Sequence, residues 1–380
     1  MTILQFTLSQ HPSQGGIYVT TQSFREVLNS KIVEIISPEL QGQTTGDYQI
    51  RVFDRGLFKR YPIPINKNEI MSRLSSSAVS LVIIHGLWRI HDNLGYQFAK
   101  KNNIPFWIVT HGALDPYVFT YRALPKHLWM SLFGERLIRE ASAVICSTSR
   151  EYDKAKKYLK DAKIEVCHWG IEPPNLKQVN SWKAEIRDRL NIPLGQQILL
   201  FLGRIDRMKR PIETALAFKQ LKPNNWTFLI VGAMETGEGA EEILEICDGQ
   251  LVQYHPPVYG VDKWKFLAAA DAFVNLSHRE NFGRSVVEAA AVGLPLLISD
   301  GVDIFPVLQS AGAANVVTIN SLDDIRTALQ IFLQKLPLEQ KYMGQKAQKC
   351  FQENFTKELF RNELIKLVKK STSEGLSRCV

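Results

Sequence analysis

The stretch that most narrows what this chain can fold into is Asp271 to Asp300, DAFVNLSHRENFGRSVVEAAAVGLPLLISD. Ala272 to Leu276 is a short apolar run with Phe and Val, the pattern of a buried strand. Ser277 to Gly283 is polar and ends in Gly, which reads as a loop, and Arg284 to Val292 has helical patterning stopped by Gly293 and Pro295. Leu296 to Ser299 reads as the next strand. A strand–loop–helix–strand unit of this kind belongs to a parallel sheet. The same alternation runs along the whole chain, and 380 residues are too many for one core, so two α/β domains are expected.

Composition excludes several classes. Hydrophobic content of 45% and charged content of 22% are those of a soluble globular protein. No apolar run approaches the ~20 residues of a membrane span. The opening MTILQFTLSQHPSQGG lacks a basic region and a small-residue cleavage site, so it reads as a first strand rather than a signal peptide. The five cysteines are scattered, odd in number and free of any Cys-x-x-Cys pair, which argues against a disulfide framework or a metal site and for a reducing cytosol. Charge is uneven: residues 1–170 carry 21 Lys and Arg against 14 Asp and Glu, a net +7, and residues 171–380 carry 25 against 24, a net +1. A basic half suits anionic lipid, nucleic acid or a phosphorylated substrate, or is a solvated surface. Nucleic acid is disfavoured, because zinc-finger spacing, a helix-turn-helix signature and an RNA-binding aromatic motif are all missing.

Two carboxylates stand out in the opening stretch. Glu280 lies in the loop at the carboxyl end of a strand, the edge at which open α/β sheets bind ligands. Glu288 sits inside an otherwise apolar helix, where a carboxylate is costly unless something bonds to it. Taken alone, either Glu reads equally well as a helix N-terminal charge or a core ion pair. The spacing Glu280-x7-Glu288, with Asn281-Phe282-Gly283 after the first, is more specific. It resembles the E-x7-E signature of retaining glycosyltransferases of family 4, which have the GT-B fold. The resemblance implies that Glu280 meets a donor sugar and that Glu288 binds the ribose hydroxyls of its nucleotide.

In chain order, Thr2 to Leu8 is strand one, and Gly15-Gly16 precedes a helix over Ile17–Leu28. The glycine pair lets a backbone approach an anion at a helix N-terminus, or is a plain tight turn; it is not a dinucleotide fingerprint. Ser80 to Ile84 and Pro105 to Val109 are strands ending at His85-Gly86 and His111-Gly112. His85 reads as bonded to a neighbouring backbone group. Thr-His-Gly-x-Leu-Asp-Pro at 110–116 resembles a family 4 stretch whose His, here His111, sits against the donor sugar. Ala123 to Ser142 is an amphipathic helix with Leu128, Trp129, Leu132, Leu137 and Ile138 read as core, a membrane-facing role being the alternative. Ser149 to Lys160 reads as a basic helix, and Pro173-Pro174 as the domain boundary.

The second half restarts the alternation. Strand Ile198–Leu202 is followed by a loop bearing Arg204, Arg207, Lys209 and Arg210, with Pro211 opening a helix. Such a loop is a diphosphate site or a solvated charged loop. Arg204 and Lys209 match the family's Gly-Arg followed by Lys, the diphosphate ligands. Residues 235–242 read as an acidic loop, the backbone near Tyr259 is where the family faces the nucleotide base, and 371–380 read as a loose tail.

The resulting expectation is an α/β chain of two Rossmann-like domains facing across a cleft, residues 1–172 with a crossing helix at 355–372, and residues 176–354. The activity implied is retaining transfer of a sugar from a nucleotide-diphosphate sugar to a saccharide or lipid-linked acceptor, in surface polysaccharide or glycoconjugate synthesis. The expected catalytic residues are His111, Arg204, Lys209 and Glu280. Gly15, Gly16, Arg204, Lys209, Tyr259, Asn281, Phe282, Gly283 and Glu288 are expected to hold the donor. No cofactor and no metal are expected, because Asp-x-Asp is missing from the sequence and fixed cations stand in. The expected location is the cytoplasm, with peripheral contact at the inner membrane face through the basic first domain. The alternatives are a non-catalytic nucleotide-sugar-binding protein and a basic protein that binds nucleic acid or a membrane surface.

Overall fold

A computed structural model describes residues 2–376 apart from positions 12–13, 38–39, 41, 54–61, 76–77, 121–122, 157, 159–161, 194 and 235–238. The chain divides into two compact units, residues 1–170 with 358–380, and residues 171–357.

The first unit holds strands β1 (Thr2–Thr7), β2 (Lys31–Ile36), β3 (Tyr48–Phe53), β4 (Ile63–Pro64), β5 (Val79–His85), β6 (Phe106–Val109), β7 (Ala143–Cys146) and β8 (Ile164–Val166). They form one sheet in the order β4-β3-β2-β1-β5-β6-β7-β8. Only the β3–β4 pair is antiparallel. The central strands are buried on both faces, Leu81 to Ile84 completely, as parallel strands between helix layers must be. From β1 the chain builds outward through β2 and β3, then returns to the other side of β1 with β5. The β1/β5 junction is therefore a switch point, the kind of position at which open α/β sheets bind ligands.

The second unit holds β9 (Gln197–Leu202), β10 (Trp226–Val231), β11 (Val252–His255), β12 (Ala272–Asn275), β13 (Leu296–Ser299) and β14 (Ala314–Val317). The order is β11-β10-β9-β12-β13-β14, all parallel, with its switch point between β9 and β12. At the carboxyl edge, backbone packs on backbone: a Cβ on Gly232 would lie 1.7 Å from the Gly203 carbonyl oxygen, and one on Gly301 2.3 Å from that of Ser277.

Several expectations are corrected. Leu128 and Leu132 are 57% and 59% exposed rather than core. The stripe that turns inward is Met130, Gly134, Leu137, Ile138 and Ala141, and the two leucines lie off it. Residues 239–242, expected in a loop, open the helix Gly239–Ile246, and 235–238 lie outside the described residues. The helix expected over 149–160 spans Ser149–Lys156, with Lys157 and Lys160 outside the described residues. The helix Lys357–Leu376 runs through the start of the expected tail. The buried Ser371 hydroxyl accepts a 2.8 Å bond from Trp107 Nε1, which anchors it there. Among the described residues no helix is long and apolar enough to cross a membrane.

Candidate functional site

The loops after β9 and β12 leave neighbouring strands at the switch point of the second sheet. Asp206 folds the first loop back on itself: its carbonyl and Oδ1 accept the Lys209 amide at 3.1 and 3.0 Å. That turn aims Lys209 Nζ at Glu280 Oε2, with which it forms an ion pair. Arg204 stays 61% exposed, its Nη2 at 3.4 Å from Asp206 Oδ2. Arg210 departs from the expected cluster of four cations. It is buried, and its Nη2 reaches the Ile319 carbonyl at 3.2 Å and the His278 ring at 2.7 Å, while the Met208 carbonyl accepts the His278 amide at 2.7 Å. Burial lowers the pKa of His278, as does the Arg210 charge. Arg210 thus ties the two loops together, and Arg204 and Lys209 are left at the edge.

Glu280 is held by its backbone. Its amide donates to the Gly301 carbonyl at 2.9 Å, and its carbonyl accepts from Asp303 at 2.8 Å. Asn281 is partly exposed. Phe282 is buried, with its ring 6.1 Å from that of Phe355. Gly283 caps the next helix at φ +73°, and a Cβ there would sit 2.8 Å from Val302 Cγ1, so the position requires glycine.

That helix, Arg284–Ala291, carries Glu288 at 2% exposure. The carboxylate is doubly paired: Oε1 accepts from Lys263 Nζ at 2.6 Å and from Arg284 Nε at 3.2 Å. Two cations on one oxygen offset the cost of burial. Among the described residues Oε2 has no partner, so one oxygen of an anchored carboxylate remains to accept from a ligand hydroxyl. Lys263 comes from the helix Gly260–Ala269, whose N-cap is the 66% exposed Tyr259. Neither cation is part of the Glu280-x7-Glu288 pattern. Arg284 was discoverable, because it lies four residues before Glu288 on one helix face. Lys263 carried no local signal.

His111 and the Gly15-Gly16 pair belong to the first unit. Thr110-His111-Gly112 is a turn with φ of +48° at His111 and +76° at Gly112. The buried Glu151 pins it, accepting from Thr110 Oγ1 and the Gly112 amide at 2.6 Å each, and from the Ser147 amide at 2.6 Å. A buried polar chain fixes the ring. Gln5 Nε2 donates to the Thr21 carbonyl at 3.2 Å, which turns Gln5 Oε1 toward His85 Nε2, 2.6 Å away. His85 must then carry its proton on Nε2 and accept on Nδ1. His111 Nε2 lies 3.1 Å from that Nδ1, so it must be the donor. The chain leaves His111 Nδ1 as a lone-pair acceptor.

Burial lowers the pKa of both rings, with His111 and then His91 adding to the effect at His85. His111 falls to about 4, chiefly through burial and then through His91. This corrects the expectation for His85: its side chain serves His111, and it is His91 Nε2 that bonds a backbone group, the His85 carbonyl, at 2.7 Å. Gly15 takes φ +58° and ψ −122° at the start of the helix Gly16–Leu28, and nothing lies within 4 Å of where a Cβ would be on either glycine.

Residues 183–350 match the family model described as glycosyl transferases group 1. A Bacillus subtilis (strain 168) protein named for glycosyl transfer in teichuronic acid biosynthesis, TuaC, is 28% identical over 215 residues, 55% of this chain and 53% of its own. A D-inositol 3-phosphate glycosyltransferase of Streptomyces avermitilis is 29% identical over 233 residues, 57% of this chain and 50% of its own. The chain therefore spans about half the length of the curated relatives it matches. Anabaena Alr3699/HepE, solved in complex with UDP and glucose, superposes with a TM-score of 0.76 at 15% identity, covering 97% of this chain and 99% of that one. Sucrose-phosphate synthase of Thermosynechococcus elongatus gives 0.78 at 17% identity, covering 98% and 100%. At such identities the structural likeness establishes the fold, two parallel-sheet α/β domains of the GT-B class.

Proposed function

We propose that the protein is a retaining glycosyltransferase, a reading supported by the match of residues 183–350 to the glycosyl transferases group 1 model. It takes a nucleotide-diphosphate sugar as donor and a saccharide or lipid-linked acceptor, in surface polysaccharide or glycoconjugate synthesis. The observation that carries this reading is the pairing of Lys209 with Glu280 across two loops that leave neighbouring strands at a switch point. A fixed cation there, with exposed Arg204 nearby in sequence, suits a diphosphate. A backbone-anchored carboxylate suits the hydroxyls of the sugar attached to it.

In the reaction, the bond from the anomeric carbon to the diphosphate oxygen breaks and one to the acceptor oxygen forms. The acceptor's proton passes to the leaving phosphate, so no separate base is assigned. Arg204 and Lys209 stabilise the charge growing on the diphosphate, an effect largest in the transition state. Glu280 orients the sugar, Glu288 Oε2 accepts from the ribose hydroxyls, and Asn281, Phe282 and Gly283 shape the turn between them. Tyr259 lies toward the base, Gly15 and Gly16 offer backbone donors, and His111 Nδ1 accepts from a hydroxyl of the transferred sugar. No metal or cofactor is assigned, since fixed cations supply the positive charge. A lipid-linked acceptor would bring the enzyme to the cytoplasmic face of a membrane. The complex of Anabaena HepE with UDP and glucose supports a hexose donor and makes UDP-glucose the first to try.

The test is incubation with UDP-, GDP- and ADP-sugars, with nucleotide release followed and the anomeric configuration of the new product read by proton NMR. Release with the donor's configuration kept is expected. Binding without release would make the protein a nucleotide-sugar-binding module, and an inverted product would end the retaining assignment.

A further inference from the structure

The helical segment from Ala123 to Glu140 is apolar on two sides. Its inner side is committed: Met130, Leu137 and Ile138 are buried, and the Trp129 ring lies 4.9 Å from that of Trp88. The outer side carries Leu124, Leu128, Leu132 and Phe133 at 80%, 57%, 59% and 58% exposure. The three leucines recur every fourth residue, so they form one line along the helix. Single exposed leucines are ordinary on a protein surface, but a continuous apolar stripe marks an interaction site. The anchored inner face prevents the helix from rolling to hide it.

The charge around the stripe indicates what covers it. Residues 116–134 contain no Asp or Glu. Arg136 and Arg139 follow on the exposed surface; Arg136 Nε bonds Glu140 Oε1 at 2.9 Å, and Lys100 takes the other oxygen of that carboxylate at 2.7 Å. The first 170 residues carry the net +7, against +1 for the remainder. We propose that this stripe docks the protein on a bilayer surface containing anionic phospholipid, with the leucines and Phe133 entering the headgroup–acyl boundary and the basic first unit held by the lipid charge. A helix of this kind lies in the interface plane, and its binding grows with both apolar area and anionic lipid. The inference goes beyond sugar transfer and does not depend on it, since docking needs neither donor nor turnover.

The experiment is co-sedimentation of the full-length protein with phosphatidylcholine vesicles, with and without phosphatidylglycerol, at low and high salt and without sugar nucleotide. Binding is expected to rise with phosphatidylglycerol and fall with salt. Leu128→Glu with Leu132→Glu is expected to cut the partition at least about tenfold with an unchanged melting temperature. Leu338→Glu, at a 77% exposed position of the second unit, is the control expected to bind as before. Three results would overturn the proposal: no dependence on phosphatidylglycerol, a double variant that pellets like the wild type, or a soluble dimer that the double variant converts to monomer without any vesicle binding. The last would make the stripe a contact between two copies of the chain. Should Leu128→Glu with Leu132→Glu lower the melting temperature, Leu124→Glu alone, at the most exposed position, must show the same loss of partition for the proposal to stand.

Discussion

A carboxylate at 2% exposure must be paired, and Glu288 is paired twice through one oxygen. Glu288→Gln keeps the shape but removes the charge that Lys263 and Arg284 serve, and it puts an amide at the position proposed to accept from the ribose. It is expected to weaken nucleoside diphosphate binding by roughly tenfold, about 1.4 kcal/mol, in a protein that still folds. Unchanged affinity in a titration would remove the ribose role. For His111, the acceptor on Nδ1 exists because Gln5 and His85 fix both tautomers. Gln5→Met is expected to lose the single tautomer in nitrogen-15 spectra of the histidines, and His111→Ala to lower turnover on the order of a hundredfold while changing donor affinity by less than about threefold. A turnover near wild type would take His111 out of the reaction. The pH dependence has a definite sign. His111 titrates near 4 in the folded protein against 6.5 for the free side chain, so within that window the unfolded chain binds the extra proton. The stability this residue contributes is complete above 6.5 and is lost as pH falls toward 4. Melting temperatures of wild type and His111→Asn across that window check it, the variant having the shallower acid loss.

At the scale of elements, the two loops after β9 and β12 are built by backbone rather than by side chains. Gly283 must hold φ +73° with no room for a Cβ beside Val302. Gly283→Ala is therefore expected to destabilise by about 1–3 kcal/mol and to displace Glu280. Chemical denaturation measures the first effect, and a loss of turnover larger than the loss of stability shows the second. These elements were legible in the sequence because each signal is local: an apolar run, a Gly in the loop, and two Glu at a fixed spacing on one stretch of chain. Tertiary partners left no such mark. Lys263 reaches Glu288 from another helix, and nothing about Gln5 within strand β1 announces that its amide sets a proton on a histidine of β5. The helix over 123–140 shows the complementary failure: its apolar residues were visible, but which stripe turned inward depended on the sheet beneath it.

On the scale of the whole molecule, two sheets with a switch point each follow from the alternation of short apolar strands with helices, and that alternation survives from end to end. In the second unit the exposed Arg204 and the paired Lys209 are the cations proposed to do without a bound metal. Turnover is accordingly expected to persist in excess EDTA; complete loss restored by magnesium or manganese would show that the cations are not sufficient. The proposed function requires the β9/β12 edge to hold a nucleoside diphosphate through Lys209. Calorimetric titration of the full-length protein and of Lys209→Met with UDP, GDP and ADP tests it most directly. One of the three is expected to bind the wild type, and the variant to bind it at least about tenfold more weakly with its fold intact. Equal affinity in the two proteins, or no binding of any of the three, would contradict it.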